Sequence, residues 1–568
     1  MNLLLSAVAI AAATVASAQE SYPVIGGDCK VFPGDAAWPS DAEWASLNET
    51  VSGRLVKTVP LGSPCHDPNY NATLCEELKD EWLMEPIHFN STSSVMAPFF
   101  ANQSCDPWQP QSRPCELGNY VRYAVDVAGA EDIQATIAFA RENNIRFVIR
   151  NTGHDFNGRS TGAGALSVRT HGLKDIEFID EWVGVEYTGP AVKVGAGVQG
   201  FEIVTAANSQ GRVVVTGECP TVGLAGGYTQ GGGHSALSNS YGLSADNVLE
   251  WEVVTADGQF LIANETSNPD LFWALRGGGP GTYGVVTSLT VRTHPDAIVS
   301  GAALSFLSNS TTTETFWHAV QTFHELLPAM VDAGVMLVYT INTEAFGIPF
   351  LTAYNKTAAE CREVLSPFLE SLGKLGINPT VSFTESQSYL EHYNETFGPL
   401  PWGGLPIDQG LFGGRLVPRD IVSNITSLAF QELANLGVAV TGVSLDVSRF
   451  GSTETTSVVP AWRSSLIHAV LNLPWSFTAP WSDMVAQVSK MTEQAMPILE
   501  AATPGSGAYV NEADFQQPNF QEVFWGTNYE RLLAIKAKYD PENFLYTRIA
   551  PGSEAWTVAD DGRMCRSL

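Results

Sequence analysis

The sequence predicts an α+β protein built from more than one domain. Three observations carry that reading. From Tyr120 to about residue 300, short strands and short helices alternate. Beyond about 300 the helical stretches lengthen, with strand-like runs between them. A length of 568 residues with 44% hydrophobic content is enough for two or three separate cores.

The elements follow in order. Residues 1–18 read as a signal peptide, because Met1 to Val15 is apolar and Ala16-Ser17-Ala18 offers a small-residue cleavage signal before Gln19. Residues 19–117 form a loop-rich segment in which Ser40-Asp41-Ala42-Glu43 predicts a capped helix start ahead of Trp44 and Leu47. Val121–Val127 alternates as a strand. Ile133, Ile137 and Ala140 share a helical face, and Phe147–Ile149 reads as the next strand. The alternation continues through Ala191–Val194, Phe201–Ser209 and Val213–Val215. Strand Val248–Thr255, helix Pro269–Leu275 and strand Val285–Val291 complete a domain over 118–300. A second domain over 301–504 holds helices Thr313–Leu327 and Ala358–Leu372 and strands Val335–Ile341 and Val438–Val447. Residues 505–568 form a last segment whose helix, Asn528 to Tyr539, is closed by Asp540-Pro541.

Charge and composition remove several function classes. A formal net charge of −30 with no basic stripe repels nucleic acid. No segment carries 18 uninterrupted apolar residues, so no transmembrane helix is expected. Sequons at Asn48, Asn71, Asn90, Asn102, Asn264, Asn309, Asn355, Asn394 and Asn424 suit a secreted, glycosylated surface, and the chain is expected to be a monomer. Eight cysteines in an oxidising compartment imply disulfides, and Cys65 with Cys75 and Cys105 with Cys115 close short loops. Cys219 stands apart from that group. No C-x-x-C or H-E-x-x-H spacing points to a metal, and no G-x-S-x-G elbow points to a hydrolase. His66, His88, His171, His318, His324, His392 and His468 have no suggestive context.

Two glycine-bearing loops carry the chemistry. Gly279-Pro280-Gly281-Thr282-Tyr283-Gly284 is a literal G-x-G-x-x-G, but it follows a helix and precedes a strand. A dinucleotide fingerprint needs the reverse order. The loop at Asn151–Asp155 and the glycine-dense stretch Gly217–Gly242 are better candidates. Their backbone N–H groups form anion nests that hold a pyrophosphate without basic side chains.

"IRNTGHDFNGRST" together with "GECPTVGLAGGYTQGGGHSALSNSYGLSADNV" resembles the FAD-binding domain of the vanillyl-alcohol oxidase superfamily. The nearer similarity is to berberine bridge enzyme-like oxidoreductases, including fungal members described as isoamyl alcohol oxidases. "YVNEAD" and "FWGTNYERLLAIKAKYDPENFLY" are similar to the C-terminal segment of that family. The resemblance implies a PCMH-type FAD-binding domain of two α/β subdomains. It also implies a substrate domain with a mostly antiparallel sheet covered by helices. It implies a flavin bonded to His154 at its 8α-methyl carbon and to Cys219 at C6. Thr152 stands where the family usually has glycine. Arg150, Asn151, Gly153 and Asp155 of the first loop are expected to surround the cofactor. So are Thr221, Gly223, Gly227, Gly231, Gly232 and Gly242 of the second, with Val286 and Asn511.

The resemblance also implies the reaction. A small residue at Val222 goes with oxygen access to the flavin, so the expected enzyme is an oxidase that makes hydrogen peroxide from an alcohol, sugar or phenolic substrate. The family's proton-abstracting tyrosine is replaced by Glu512, which is expected to be a carboxylate base with a raised pKa in an apolar site. Tyr509 is the alternative base. Trp317, Phe346, Phe350, Trp402, Trp475 and Trp481 are candidates to stack a substrate ring, against an ordinary role in the core. Two rivals stand beside the oxidase: a flavin dehydrogenase or oxidative cyclase of secondary metabolism, and a catalytically silent secreted binding protein.

Overall fold

The computed structural model describes residues 28–567 except 405, 406, 408, 409, 424 and 425. The expected signal peptide and the Asn424 sequon lie outside the described residues. The predicted capping box is present: the Ser40 side chain accepts from the Glu43 N–H, and the helix it starts, Asp41–Thr50, buries Trp44 and Leu47.

Three sheets position the rest. The first has four strands in the order Leu55–Lys57, Tyr123–Asp126, Leu166–Arg169, Phe147–Arg150. Its last three strands run parallel, and helix Ala130–Glu142 makes the crossover, burying Ile133, Ile137 and Ala140. The second sheet has five antiparallel strands, ordered Ile176–Val183, Thr188–Gly195, Val285–Arg292, Val248–Val254, Phe260–Asn264. One expected element differs here. Val213 belongs to a two-residue strand that pairs with His294–Pro295 and stays out of the five-stranded sheet. Hairpins rather than strand–helix–strand units build that sheet, so its parallel alternation ends with the first subdomain.

The third sheet has seven antiparallel strands, from Thr380–Ser386 at one edge to Gly410–Pro418 at the other. Helices Thr313–Asp332 and Ala358–Lys374 cover one face. Their apolar stripes, Phe316, Phe323 and Leu327 with Leu365, Phe368 and Leu372, join one buried cluster with Leu337, Ile348, Leu351 and Leu471 of the sheet. This is the mostly antiparallel, helix-covered sheet that the resemblance implies.

The chain then returns to the first half. Helix Tyr529–Tyr539 buries Leu532 and Ile535 in the same cluster as Val192, Trp251 and Leu289. Gly279–Gly284 lies between helix Pro269–Leu275 and strand Val285–Arg292, so its order is the reverse of a dinucleotide fingerprint. Disulfides join Cys65 to Cys75 and Cys105 to Cys115, and a third joins Cys29 to Cys565. Cys219 and Cys361 are free. No helix of the described residues is long and apolar enough to cross a membrane.

Candidate active site

One cavity collects residues from all parts of the chain. Its wall takes Glu85 from the N-terminal segment, Asn151–Asn157 from the loop after strand Phe147–Arg150, and Gly217–Cys219 with Val222–Gly223 and Ala225–Tyr228 from the glycine-dense stretch. Phe412 comes from the seven-stranded sheet, and Tyr509, Asn511, Glu512 and Thr547 come from the C-terminal segment. Its empty volume, mouth included, is about 1720 Å³. That figure includes open solvent at the mouth; the enclosed part, about 300 Å³, lies at the low end of the ~300–1,000 Å³ of small-molecule pockets.

The first loop is shaped from below. Gly153 has φ +91°, and a Cβ there would meet the Arg150 guanidinium at 2.5 Å. That guanidinium is buried and donates to the backbone carbonyls of Ser94, His88 and Thr152. Arg150 therefore supports the loop from behind, and the cavity wall does not include it. Asp155 accepts from the N–H groups of Asn157, at 3.0 Å, Arg159 and Ser160, at 2.9 Å, which fixes the turn after His154. The Asn151 amide nitrogen is held by Ala196 O and Thr170 Oγ1, while its Oδ1 has no partner.

His154 opens into the cavity, and its Nε2 lies 2.8 Å from Thr221 Oγ1. Burial and the Arg150 charge lower its pKa to about 4, so its imidazole is neutral at neutral pH. Cys219 Sγ lies 3.4 Å from the same Thr221 hydroxyl. Burial pushes the thiol up to about 11, against hydrogen bonds from the Thr221 side chain and the backbone of Thr221 and Val222. Thr221 itself is fully buried behind the wall. Gly231 and Gly232 also lie behind it: a Cβ on Gly231 would meet the Asn511 amide, and one on Gly232 would meet Val458. Gly242 packs against Asp246 and Phe450, away from the cavity. Gly223, Gly227 and Val286 do line it.

Opposite these two residues sits an ionised cluster. Glu512 accepts from His234 Nε2 at 3.1 Å and from His468 Nε2 at 2.9 Å. His234 Nδ1 faces Glu218 Oε2 at 3.4 Å. Burial alone would raise the Glu512 pKa. The His234 charge and the hydrogen bonds from both histidines outweigh it and hold the carboxylate well below its ordinary range. Burial opposes protonation of His234, but the carboxylates of Glu512 and Glu218 drive its pKa well above the usual value. The expected raised pKa of Glu512 is thereby corrected: its surroundings are charged, not apolar. His468, placed by sequence among histidines without context, is a second correction. It lies on strand Ser465–Pro474, far from any motif, and no local signal marks it. His234 closes the glycine run, and Glu218 directly precedes Cys219. Both stood in the quoted motif without a role.

Tyr509 is fully buried, and burial raises its pKa. Its oxygen accepts from the Gly233 N–H at 3.2 Å and from the Asn511 amide at 2.9 Å. The candidate stacking aromatics are elsewhere. Phe346 is in the core of the large sheet, Trp481 stacks on Phe99, and Trp402 packs against Phe89. The aromatic pair at the cavity is Phe156 with Phe412, whose ring centroids are 4.4 Å apart.

The wall fits a flavin dinucleotide. It presents glycine backbone at two loops, and buried amide oxygens of Asn151 and Gln230 that lack partners. Its one arginine among the described residues, Arg159, donates to the carbonyls of Val510, Arg548 and Ile549, and its charged His234 is taken up by Glu512 and Glu218. An anionic phosphate therefore depends on backbone donors, as nests provide.

Comparisons with known proteins agree. A model described as FAD binding domain matches residues 121–264, and one described as berberine and berberine like matches 508–549. The chain is 58% identical over 540 residues to FAD-linked oxidoreductase ZEB1 of Gibberella zeae, covering 95% of each. It is 46% identical to FAD-linked oxidoreductase patO of Penicillium expansum, covering 96% of this chain and 95% of that one. The crystal structure of VAO-type flavoprotein MtVAO615 from Myceliophthora thermophila C1 superposes with a TM-score of 0.91 at 42% identity. That match covers 95% of this chain and all of the other. The chain belongs to the FAD-linked oxidoreductases of the berberine bridge enzyme-like, VAO-type family.

Proposed function

We propose that the protein is a secreted oxidase of neutral alcohols whose FAD is bonded through His154 and Cys219. One observation carries this reading: a neutral histidine and a free cysteine open into the same cavity as an ionised Glu512 held by two histidines. When bound, FAD would supply the acceptor for the hydride of the alcohol carbon, with dioxygen as the final acceptor. The chain's own part is to position and to move a proton. Glu512, kept ionised by His234, accepts the hydroxyl proton as the carbon is oxidised. His468 holds the carboxylate from behind.

The cavity wall favours uncharged substrates. Glu85, Asp155, Glu218 and Glu512 line it, and the Arg159 guanidinium is spent on carbonyls. A carboxylate or phosphate substrate meets repulsion there, whereas Met96, Phe156, Ile407 and Phe412 offer apolar contact. Val222 on the same wall leaves room for oxygen.

A second reading, a dehydrogenase or oxidative cyclase of secondary metabolism, draws on one relative. A protein 42% identical to this chain is named bifunctional decalin synthase calF. Peroxide formed stoichiometrically with alcohol consumed supports the oxidase, and its absence during turnover supports the dehydrogenase. The covalent reading has its own check. Acid-precipitated protein is expected to stay yellow. His154→Ala is expected to keep flavin through Cys219, and the change of both residues to release it. Free FAD in the wild-type supernatant refutes the attachment.

A further inference from the structure

Glu218 lines the cavity beside Cys219, yet the reaction above gives it no part. It lies across the His234 ring from Glu512. His234 Nε2 sits 3.1 and 3.2 Å from the two oxygens of Glu512, and its Nδ1 sits 3.4 Å from Glu218 Oε2. Nδ1 has no hydrogen bond, and Glu218 Oε1 is buried without one. The two side chains are 9% and 15% exposed, so salt and water screen the contact little.

Both nitrogens of one ring therefore face carboxylates. An ionised carboxylate only accepts, and a neutral imidazole carries one N–H. A neutral His234 would set a bare lone pair against one of the two ions, whereas the imidazolium serves both. The other groups facing it do not compete. His468, with its ring 5.7 Å away, turns Nε2 to Glu512 and leaves Nδ1 without a bond. Tyr509 meets the His234 ring in a T-shaped contact at 5.6 Å, and its oxygen is engaged with the Gly233 N–H and the Asn511 amide. Among the described residues, the ion pairs of Glu218 and Glu512 are with these histidines alone.

The arrangement matters when Glu512 acts as base. As the substrate O–H bond breaks, its proton bonds to a Glu512 oxygen while the hydride leaves the carbon. The negative charge at His234 Nε2 disappears at that moment. A buried imidazolium left alone is costly. Glu218 stays ionised, so its pair with His234 survives the step, and the cluster passes from net negative to neutral. With dioxygen as the final acceptor, hydrogen peroxide takes up the hydride's hydrogen and the proton that Glu512 held. The cluster then regains its starting charge.

We propose that Glu218 is a positioning residue, the standing counter-ion of His234 that lets Glu512 accept the substrate proton without stranding a buried cation. The inference rests on the reading of Glu512 as the base.

The test joins a histidine signal to a pH profile. Nitrogen NMR of holoenzyme with isotope-labelled histidine, assigned by the signal that His234→Asn removes, is expected to show both His234 nitrogens protonated through the neutral range. In Glu218→Gln that proton is expected to leave at lower pH than in wild type. Anaerobic flavin reduction is then measured at matched flavin content with whichever of benzyl alcohol, hexanol and glucose yields peroxide. The wild-type rate is expected to be flat through the neutral range. Glu218→Gln is expected to be at least about tenfold slower at neutral pH, the loss of one charged partner. Its rate should climb with pH as His234 loses its proton, because Glu512 then takes the substrate proton beside a neutral ring. Glu218→Asp should keep the flat profile. A Gln variant as fast as wild type, or slowed equally at every pH, overturns the proposal and leaves the role of Glu512 intact. A neutral His234 in wild type overturns it without any variant. Wild-type flavin that none of the three alcohols reduces counts against the oxidase reading, and the histidine signal still decides whether Glu218 is the counter-ion.

Discussion

Glu512 has two histidine donors, which decides how its charge responds to pH. Its folded pKa is depressed, so its contribution to stability is present above the unfolded carboxylate value and is lost as pH falls through the folded one. His234 is the opposite case. Its folded pKa is raised, so its contribution holds below about pH 6.5 and is lost as pH rises through the folded value. The ion pair therefore spans the neutral range. The rate of flavin reduction is expected to stay flat through mildly acidic pH and to fall only below the ordinary carboxylate range. Glu512→Gln keeps the shape and removes the base. Rapid-reaction measurements are expected to show reduction slowed at least about a hundredfold at matched flavin content. A change under threefold moves the role to Tyr509. Val222→Leu acts on the other half-reaction. Added methylenes fill the oxygen path, so reoxidation is expected to slow while anaerobic reduction by substrate is nearly unchanged. Equal stopped-flow reoxidation in both proteins removes the gate.

Among the elements, legibility tracked locality. The capping box at Ser40, the crossover helix Ala130–Glu142 and the helices Thr313–Asp332 and Ala358–Lys374 are written in spacing, because each buries one stripe on a neighbour. The pairing of Val213 with His294 was not, since a two-residue strand has no period to read. The site divides the same way. His154 and Cys219 sit in compact motifs, whereas His468, on a strand, reaches Glu512, in a turn 44 residues further on, through tertiary packing. Asp106, beside the Cys105–Cys115 loop, was also invisible. Both its carboxylate oxygens are buried without partners, and burial, against the Arg113 charge, pushes its pKa up to about 7. A raised carboxyl costs stability as pH climbs from the unfolded value through the folded one. Asp106→Asn removes that cost, up to about 4 kcal/mol at pH 8 and near zero at pH 4. Thermal melts at both pH values check it: a variant no more stable than wild type at pH 8 excludes the orphan charge.

Across the whole molecule, the cavity wall is an assembly of distant parts. Glu85, His154, Cys219, Phe412 and Glu512 meet on it, and Cys29 is bonded to Cys565 across 536 residues. That arrangement has a consequence for how the protein is made. A chain still emerging from the ribosome has its glycine loops but lacks Tyr509, Asn511, Glu512 and Thr547, so it offers the dinucleotide a half-open trough. Helix Tyr529–Tyr539, which packs under the five-stranded sheet, arrives among the last tenth of the residues. The cavity wall is thus complete only once the C-terminal segment is made, and the Cys29–Cys565 bond works as a clasp fastened only after residue 565 is made. A truncation before Tyr509 therefore removes the clasp and this part of the cavity wall together, whereas one after Thr547 removes the clasp alone.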